Sequence, residues 1–224
     1  MKLFTPKEFE VTNNAYHING REYVRVTSTL SVIAKQRLLN WVGRVGRKEA
    51  DKILSSRQTI GTVIHKLIET ILDGEEIPLY EYESEIQNSI NKFYMFKDAA
   101  NLKPVALEQP IWSNEFGYAG TIDYIGYYKS PLKFFKRKKP KFLDSSYVII
   151  DWKTSKGIYE QYGLQVAAYA HALAELTGKE VDGAVIVLFR DGVLKFKEYT
   201  KKELDDLFEV YKAVLTIYRW KYKK

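Results

Sequence analysis

Residues 148–154 read Val148-Ile149-Ile150-Asp151-Trp152-Lys153-Thr154. The run of β-branched residues predicts a buried strand, and the charged pair marks its end. Side chains alternate along a strand, so Asp151 and Lys153 share one face and Trp152 takes the other. A carboxylate beside an ammonium can hold a divalent cation and a water together. The carboxylate binds the cation, and the amine orients the water or takes its proton once the site lowers its pKa. Alone the triplet is unspecific, because a surface ion pair at a strand end fits the same pattern.

The neighbouring segments narrow the reading. Val105 to Ser113 and Tyr118 to Tyr128 are rich in β-branched and aromatic residues, and with Tyr147 to Thr154 they predict a three-stranded antiparallel meander. Asp123 lies inside the middle strand, where an acid among apolar residues is costly unless paired or metal-bound; the alternative is an acid at a turn or edge. A helix is predicted from about Tyr159 to Leu176, and Gln165-x-x-x-Tyr169 falls on one face of it. An amide and a phenol there can bind a phosphate or stack on a base, or simply belong to an amphipathic helix with a core tyrosine. Strands over 184–190 and 193–199 flank Asp191-Gly192, a two-residue hairpin turn. Thr200-x-x-Glu203 is a capping box that opens a last amphipathic helix through Tyr218.

Upstream, Asn19-Gly20 predicts a hairpin between 16–18 and 21–26. Thr27, Ser28 and Thr29 offer N-caps for a helix through about Ala34, and a second helical stretch runs from Leu38 to Leu54. Gly61-Thr62 is expected to cap a helix ending near Asp73-Gly74, with Ile64, Leu67, Ile68, Ile71 and Leu72 as its apolar stripe. On it His65 and Glu69 stand one turn apart; a neutral imidazole can ligate a metal, although a lone helical histidine also suits the rim of a core. His17 and His171 carry no such context. Another helix is expected over about 82–100. The order of elements specifies one α/β domain over 1–224, mainly helical over residues 1–100 and sheet-containing over residues 101–224.

Composition adds an asymmetry. The formal charge is +7, and seven bases with no acid fall between Lys129 and Lys141. The rest of the chain carries 28 bases against 28 acids. A neutral body with one basic segment suits a polyanion partner there, or a solvated lysine-rich loop. There are no cysteines, which excludes a disulfide framework, an iron–sulfur cluster, a cysteine-ligated zinc and a cysteine nucleophile. No apolar leader or membrane span is visible, so the expected location is intracellular and cytoplasmic, or host cytoplasm for a viral protein.

Four motifs occur in order: Gly61-Thr62-x-x-His65-x-x-x-Glu69, Gly120-Thr121-Ile122-Asp123, Ile150-Asp151-Trp152-Lys153-Thr154 and Gln165-x-x-x-Tyr169. Together they resemble the PD-(D/E)XK nuclease superfamily, in its RecB-like branch with a helical histidine, near phage-type and mitochondrial genome-maintenance exonucleases. Thr27-Ser28-Thr29-Leu30-Ser31, Leu39-x-Trp41 and Glu49-Ala50 look like the helical approach of that group. The likeness covers roughly residues 20 to 175. It implies a restriction-endonuclease-like core: a central mixed sheet containing the meander, flanked by helices, with an N-terminal helical subregion.

The resemblance further implies that His65, Asp123, Asp151 and the main-chain carbonyl of Trp152 ligate Mg²⁺ or Mn²⁺, with Glu108 and Glu69 as second-rank ligands. Lys153 would position the water, and Gln165 and Tyr169 would support the site. Thr62, Thr154 and Ser155 would contact phosphate. Residues 129–141 become a basic hairpin insertion whose Lys136, Arg137, Lys138 and Lys139 grip the nucleic-acid backbone, with Phe134 and Phe135 stacking on bases or anchoring the hairpin. The implied activity is a DNA exonuclease on single strands or duplex ends in replication, recombination or repair, with RNA not excluded as substrate. The alternatives are an endonuclease of the same superfamily, structure-specific or restriction-type, and a non-catalytic nucleic-acid-binding protein. Lacking cysteines, the chain groups with the relatives that hold no iron–sulfur cluster.

Overall fold

The meander forms as expected. The computed structural model describes residues 1–12, 15–33, 35–131, 141–142, 145–190 and 192–222. Strands β4 (Lys103–Ser113), β5 (Tyr118–Tyr128) and β6 (Ser146–Lys153) are antiparallel in sequence. Upstream lie β1 (Phe9–Val11), β2 (Ala15–Ile18) and β3 (Arg21–Arg25); downstream, β7 (Gly183–Arg190) and β8 (Val193–Thr200). All eight join one mixed sheet in the order β1-β2-β3-β5-β6-β7-β8, with β4 also paired to β5. The β3–β5 and β6–β7 joins are parallel. At the β2–β3 turn Asn19 and Gly20 have φ of 49° and 78°, the left-handed pair that a type I′ hairpin demands. Asp191 of the second hairpin turn lies outside the described residues, although β7 and β8 pair as predicted.

One consequence of this topology positions the site. Along one edge β5 pairs with β4, from Tyr118 to Tyr127. Along the other it meets β3 at Tyr118 and Ala119, and β6 from Tyr124 onward. Residues 120–123 lie between these two partners, so the sheet opens beside Gly120, Thr121 and Asp123.

Helices cover both faces. On one side α5 (Glu160–Thr177), α6 (Lys201–Tyr222) and the short α1 (Val26–Leu30) pack on Tyr147, Ile149, Ala184 and Ile186. On the other, α3 (Arg47–Leu72) and α4 (Ser84–Ala99) pack on Val148, Ile150, Trp152, Val185, Val187 and Phe189. Strand alternation thus sends odd positions of β6 to one core and even positions to the other. Trp152 is clasped by the rings of Phe93, Phe96, Tyr124 and Phe189, with centroids 5.7–6.3 Å away. The Thr200–Glu203 capping box forms, with the Thr200 N–H donating to Glu203 Oε2 at 2.7 Å and the Glu203 N–H to Thr200 Oγ1 at 3.3 Å.

The N-terminal helices differ from expectation. Thr27, Ser28 and Thr29 lie within α1, whose N-cap is Arg25, and Thr29 is buried, its hydroxyl donating to the Val26 carbonyl at 2.7 Å. The break between helices falls at Gly46 (φ 83°), after α2 (Lys35–Val45). From there α3 runs unbroken to Leu72, so Gly61 and Thr62 sit mid-helix rather than at a cap. Thr59 and Thr62 return their hydroxyls to the Ser55 and Gln58 carbonyls, which satisfies polar groups that otherwise favour a helix start. Gly61 serves close packing instead: a Cβ there would stand 3.0 Å from Thr154 Oγ1. Three short strands also precede the helices, so the first hundred residues contribute to the sheet as well. No helix among the described residues is long and apolar enough to cross a membrane.

Candidate metal centre

The opening in the sheet is lined by His65, Gly120, Thr121, Asp123, Asp151, Lys153, Gln165 and Tyr169. With Tyr16, Arg25, Val26, Thr27 and Ala119 they enclose a cleft of about 180 Å³. Four elements deliver its functional groups: α3 brings His65, β5 brings Asp123, β6 brings Asp151 and Lys153, and α5 brings Gln165 and Tyr169.

Two sets of groups face each other. In the first, ligand atoms of His65, Glu108 and Asp123 lie within 4.8 Å of one another. Glu108 lies in the middle of β4 rather than at the strand's beginning, level with Asp123 between the Leu107–Tyr124 and Gln109–Ile122 pairs. His65 Nδ1 is 3.6 Å from Asp123 Oδ2. That oxygen also accepts the Trp152 backbone N–H at 2.8 Å, so a carboxylate takes the place of a strand partner where β5 and β6 part. In the second set, Asp151 Oδ1 accepts from Gln165 Nε2 at 3.0 Å, and Gln165 Nε2 also donates to the Tyr169 hydroxyl at 3.0 Å. Lys153 Nζ pairs with Asp151 Oδ2 and stands 4.8 Å from the Tyr162 ring centroid. Asp151 Oδ2 is buried and has no hydrogen bond of good geometry beyond that ion pair.

The electrostatics call for positive charge. Burial, joined by the charges of Asp123 and Glu69, pushes the Glu108 carboxyl up to about 8. Burial also raises Asp151, to about 6, with Lys153 opposing it. For Lys153 burial favours the neutral amine, but Asp151 and Asp123 outweigh it and hold the ammonium above the ordinary lysine value. Three crowded acids, a histidine and one buried cation form a set that a hard divalent ion fits. It would relieve the repulsion between Glu108 and Asp123 and employ the under-bonded oxygen of Asp151.

The remaining predicted groups divide. Glu69 sits one turn from His65 but pairs with Lys66 at 2.8 Å, outside the ligand trio. The Thr62 hydroxyl is spent on its own helix, and Ser155 Oγ donates to the Gly157 carbonyl at 2.8 Å in the loop after β6, so neither side chain is free for phosphate as it stands. Thr154 touches the Gly61 position. Phe134, Phe135, Lys136, Arg137, Lys138 and Lys139 lie outside the described residues. Arg25, Tyr16 and Thr121 were not predicted. The Arg25 guanidinium lies 5.5 Å from the Tyr16 ring centroid, and the Tyr16 and Thr121 hydroxyls are 3.1 Å apart. Their signal is tertiary, since Tyr16 and Arg25 reach the cleft through the parallel β3–β5 join.

Residues 141–222 match the model of the PD-(D/E)XK nuclease superfamily. The match covers a little over a third of the chain and includes Asp151, Lys153, Gln165 and Tyr169, whereas His65, Glu108 and Asp123 lie before it. The mixed sheet with helices on both faces is the restriction-endonuclease-like fold of that superfamily. Such nucleases use divalent metals and act on nucleic acid. A solved structure from Eubacterium rectale, named "Putative exonuclease", shares 13% identity, covers 88% of this chain and 81% of its own, and superposes with a TM-score of 0.50. The structure of SSO0001 shares 14% identity, covers 84% of this chain and 74% of its own, and has a TM-score of 0.39. A comparison with curated proteins finds no match.

Proposed function

We propose that the protein is a divalent-metal-dependent deoxyribonuclease that hydrolyses phosphodiester bonds from the ends of single strands or duplexes, in replication, recombination or repair. The observation that carries this reading is the convergence of His65, Glu108 and Asp123 on one wall of the sheet opening with the Asp151–Lys153 pair on the other. His65, Asp123 and Asp151 would hold Mg²⁺ or Mn²⁺ together with the Trp152 carbonyl, and Glu108 would join them. A histidine in the set makes Mn²⁺ as suitable as Mg²⁺. A divalent ion held there would supply positive charge to offset that on the phosphoryl group and to favour ionisation of a water.

The side chains divide the remaining work. Lys153, held by Asp151 and Asp123, orients the attacking water and stabilises charge that develops near it. Gln165 fixes the rotamer of Asp151 and is itself fixed by Tyr169. Arg25 lines the same cleft; one of its nitrogens donates to the Thr12 carbonyl at 3.0 Å, and the remaining donors of its fork are offered to a phosphate. Val26 and Ala119 narrow the cleft beside it and limit bulk water. The basic residues Lys136, Arg137, Lys138 and Lys139 clamp the backbone of the strand, since the site itself is too acidic to attract nucleic acid by charge.

The test is one time course with 5′- and 3′-labelled single and double strands, in Mg²⁺ and in Mn²⁺, with Lys153→Ala as control. The expected result is release of nucleotides or short products from an end, absent in the control and after chelation. A covalently closed single-stranded circle should stay intact, whereas its cleavage marks an endonuclease. Binding without cleavage under all conditions marks a non-catalytic protein. Replacing Lys136 to Lys139 with serines should lower the salt slope of binding by up to about 3, at roughly 0.7 per lost single-strand contact. An unchanged slope removes the clamp.

A further inference from the structure

Glu108 is the one mid-strand residue of the sheet in the left-handed region among the described residues, with φ of 48°. A side chain with a Cβ adopts that conformation inside a strand only where its surroundings enforce it. The surroundings are the first four residues of the chain. Lys2 Nζ donates to the Leu107 carbonyl at 2.8 Å and to the carbonyl of Glu108 itself. The Leu107 N–H donates to the Met1 carbonyl at 2.9 Å. On the far side, the Leu3 N–H donates to Gln109 Oε1 at 2.7 Å, and Gln109 Nε2 donates to the Phe4 carbonyl at 3.0 Å. Gln109 is fully buried. The left-handed residue is therefore gripped through the peptide groups on both of its sides.

We propose that Lys2 is a positioning residue for the metal centre: its ammonium clasps the Leu107 and Glu108 carbonyls and so aims the Glu108 carboxylate at His65 and Asp123. The inference rests on the metal-dependent reading above. An ammonium suits the task for two reasons. It carries donors enough to engage two carbonyls at once. It also places a positive charge near Glu108, Glu69 and Asp73, whose attraction opposes the burial that lowers its pKa. A neutral side chain of the same length keeps the packing but loses both effects.

The experiment compares Mn²⁺ binding by the full-length protein, Lys2→Met and Lys2→Arg, by calorimetry and by the paramagnetic signal of free Mn²⁺. Thermal unfolding in chelator serves as a stability control. Lys2→Met should bind Mn²⁺ about tenfold more weakly, in the range seen when a group supporting a ligand is lost. Lys2→Arg, which keeps charge and several donors, should recover most of the affinity. In a Glu108→Ala background Lys2→Met should have no further effect, because no carboxylate remains to be aimed. Equal affinity of Lys2→Met and the parent overturns the proposal, as does an equal loss with and without Glu108. If Lys2→Met does not fold, Lys2→Gln is read in the same way. A parent protein that binds no Mn²⁺ instead defeats the metal-centre reading itself, so the two failures are distinct.

Discussion

The two walls of the cleft are built in opposite ways. Asp151, Lys153, Gln165 and Tyr169 come from β6 and α5, a strand and helix adjacent in sequence, and hold one another by hydrogen bonds and an ion pair. His65 comes from α3 whereas Glu108 and Asp123 come from the β4–β5 hairpin, and the three meet because α3 packs beside that hairpin. The first wall is largely paired within itself: Asp151 Oδ1 accepts from Gln165 and Oδ2 forms an ion pair with Lys153, although Oδ2 has room for a further partner. The second is frustrated, with burial and like charge raising Glu108, and a divalent ion would complete it. The compact wall thus holds its charged pair in place by its own contacts, whereas the assembled wall gathers like charges that a divalent ion would relieve.

The largest effect tests that division directly. Lys153→Ala should lower the turnover number by about a hundred- to a thousandfold, in the range of a lost group that stabilises developing charge, while Mn²⁺ affinity changes little. Asp123→Asn should instead weaken Mn²⁺ binding by about tenfold or more. Calorimetry and single-turnover kinetics on the two variants check this, and a large loss of metal affinity in Lys153→Ala breaks the comparison. Mn²⁺ should also raise the melting temperature of the parent protein more than that of Asp123→Asn, since an ion that binds only the folded state stabilises it in proportion to its affinity.

Next in size is the support behind the compact wall. Trp152 lies between Asp151 and Lys153 with its ring in the opposite core, 2% exposed. Trp152→Ala should cost about 3–5 kcal/mol in urea unfolding, without a change in the charged groups themselves. Gly120→Ala is smaller in volume but local to the cleft, because the new Cβ would stand 2.4 Å from Tyr169 Cε1. It should cost about 1–3 kcal/mol and lower turnover by displacing Tyr169 and with it Gln165; in a Tyr169→Ala background most of that cost should vanish. The smallest effect is Tyr169→Phe, which removes one hydrogen-bond partner of Gln165. About 1 kcal/mol is expected in stability, with turnover reduced severalfold. A silent Tyr169→Phe would sharpen the comparison by showing that Gln165 alone orients Asp151.

The same contrast governs what was legible in the sequence. The meander, α5, the β7–β8 pair and the last helix with its capping box follow from local patterns, and all of them form. The ordered motifs single out His65, Asp123, Asp151, Lys153, Gln165 and Tyr169 as a set, and all six line one cleft. The Gly61-Thr62 cap does not form, because a glycine and a threonine beside polar residues look alike at a helix start and at a close contact in mid-helix. Arg25 and Tyr16 carry no local signal. Lys2 carries none either, since its partners are main-chain carbonyls more than a hundred residues away.

By itself the sequence determined which residues alternate across β6, and so that Asp151 and Lys153 face away from the core that holds Trp152. It also determined the spacing that puts Gln165 and Tyr169 on one face of the following helix. These are short-range properties of covalent geometry, with a period of two in strands and near four in helices. Only the tertiary structure decided that β3 and β6 meet β5 at separate places and leave residues 120–123 open between them. It alone brought Glu108 level with Asp123 in a left-handed conformation. The first outcome depends on how strands from distant regions of the chain share one sheet, and the second on the hold that residues 1–4 take on β4 more than a hundred residues away; in both, long-range contacts rather than local preference set the energy.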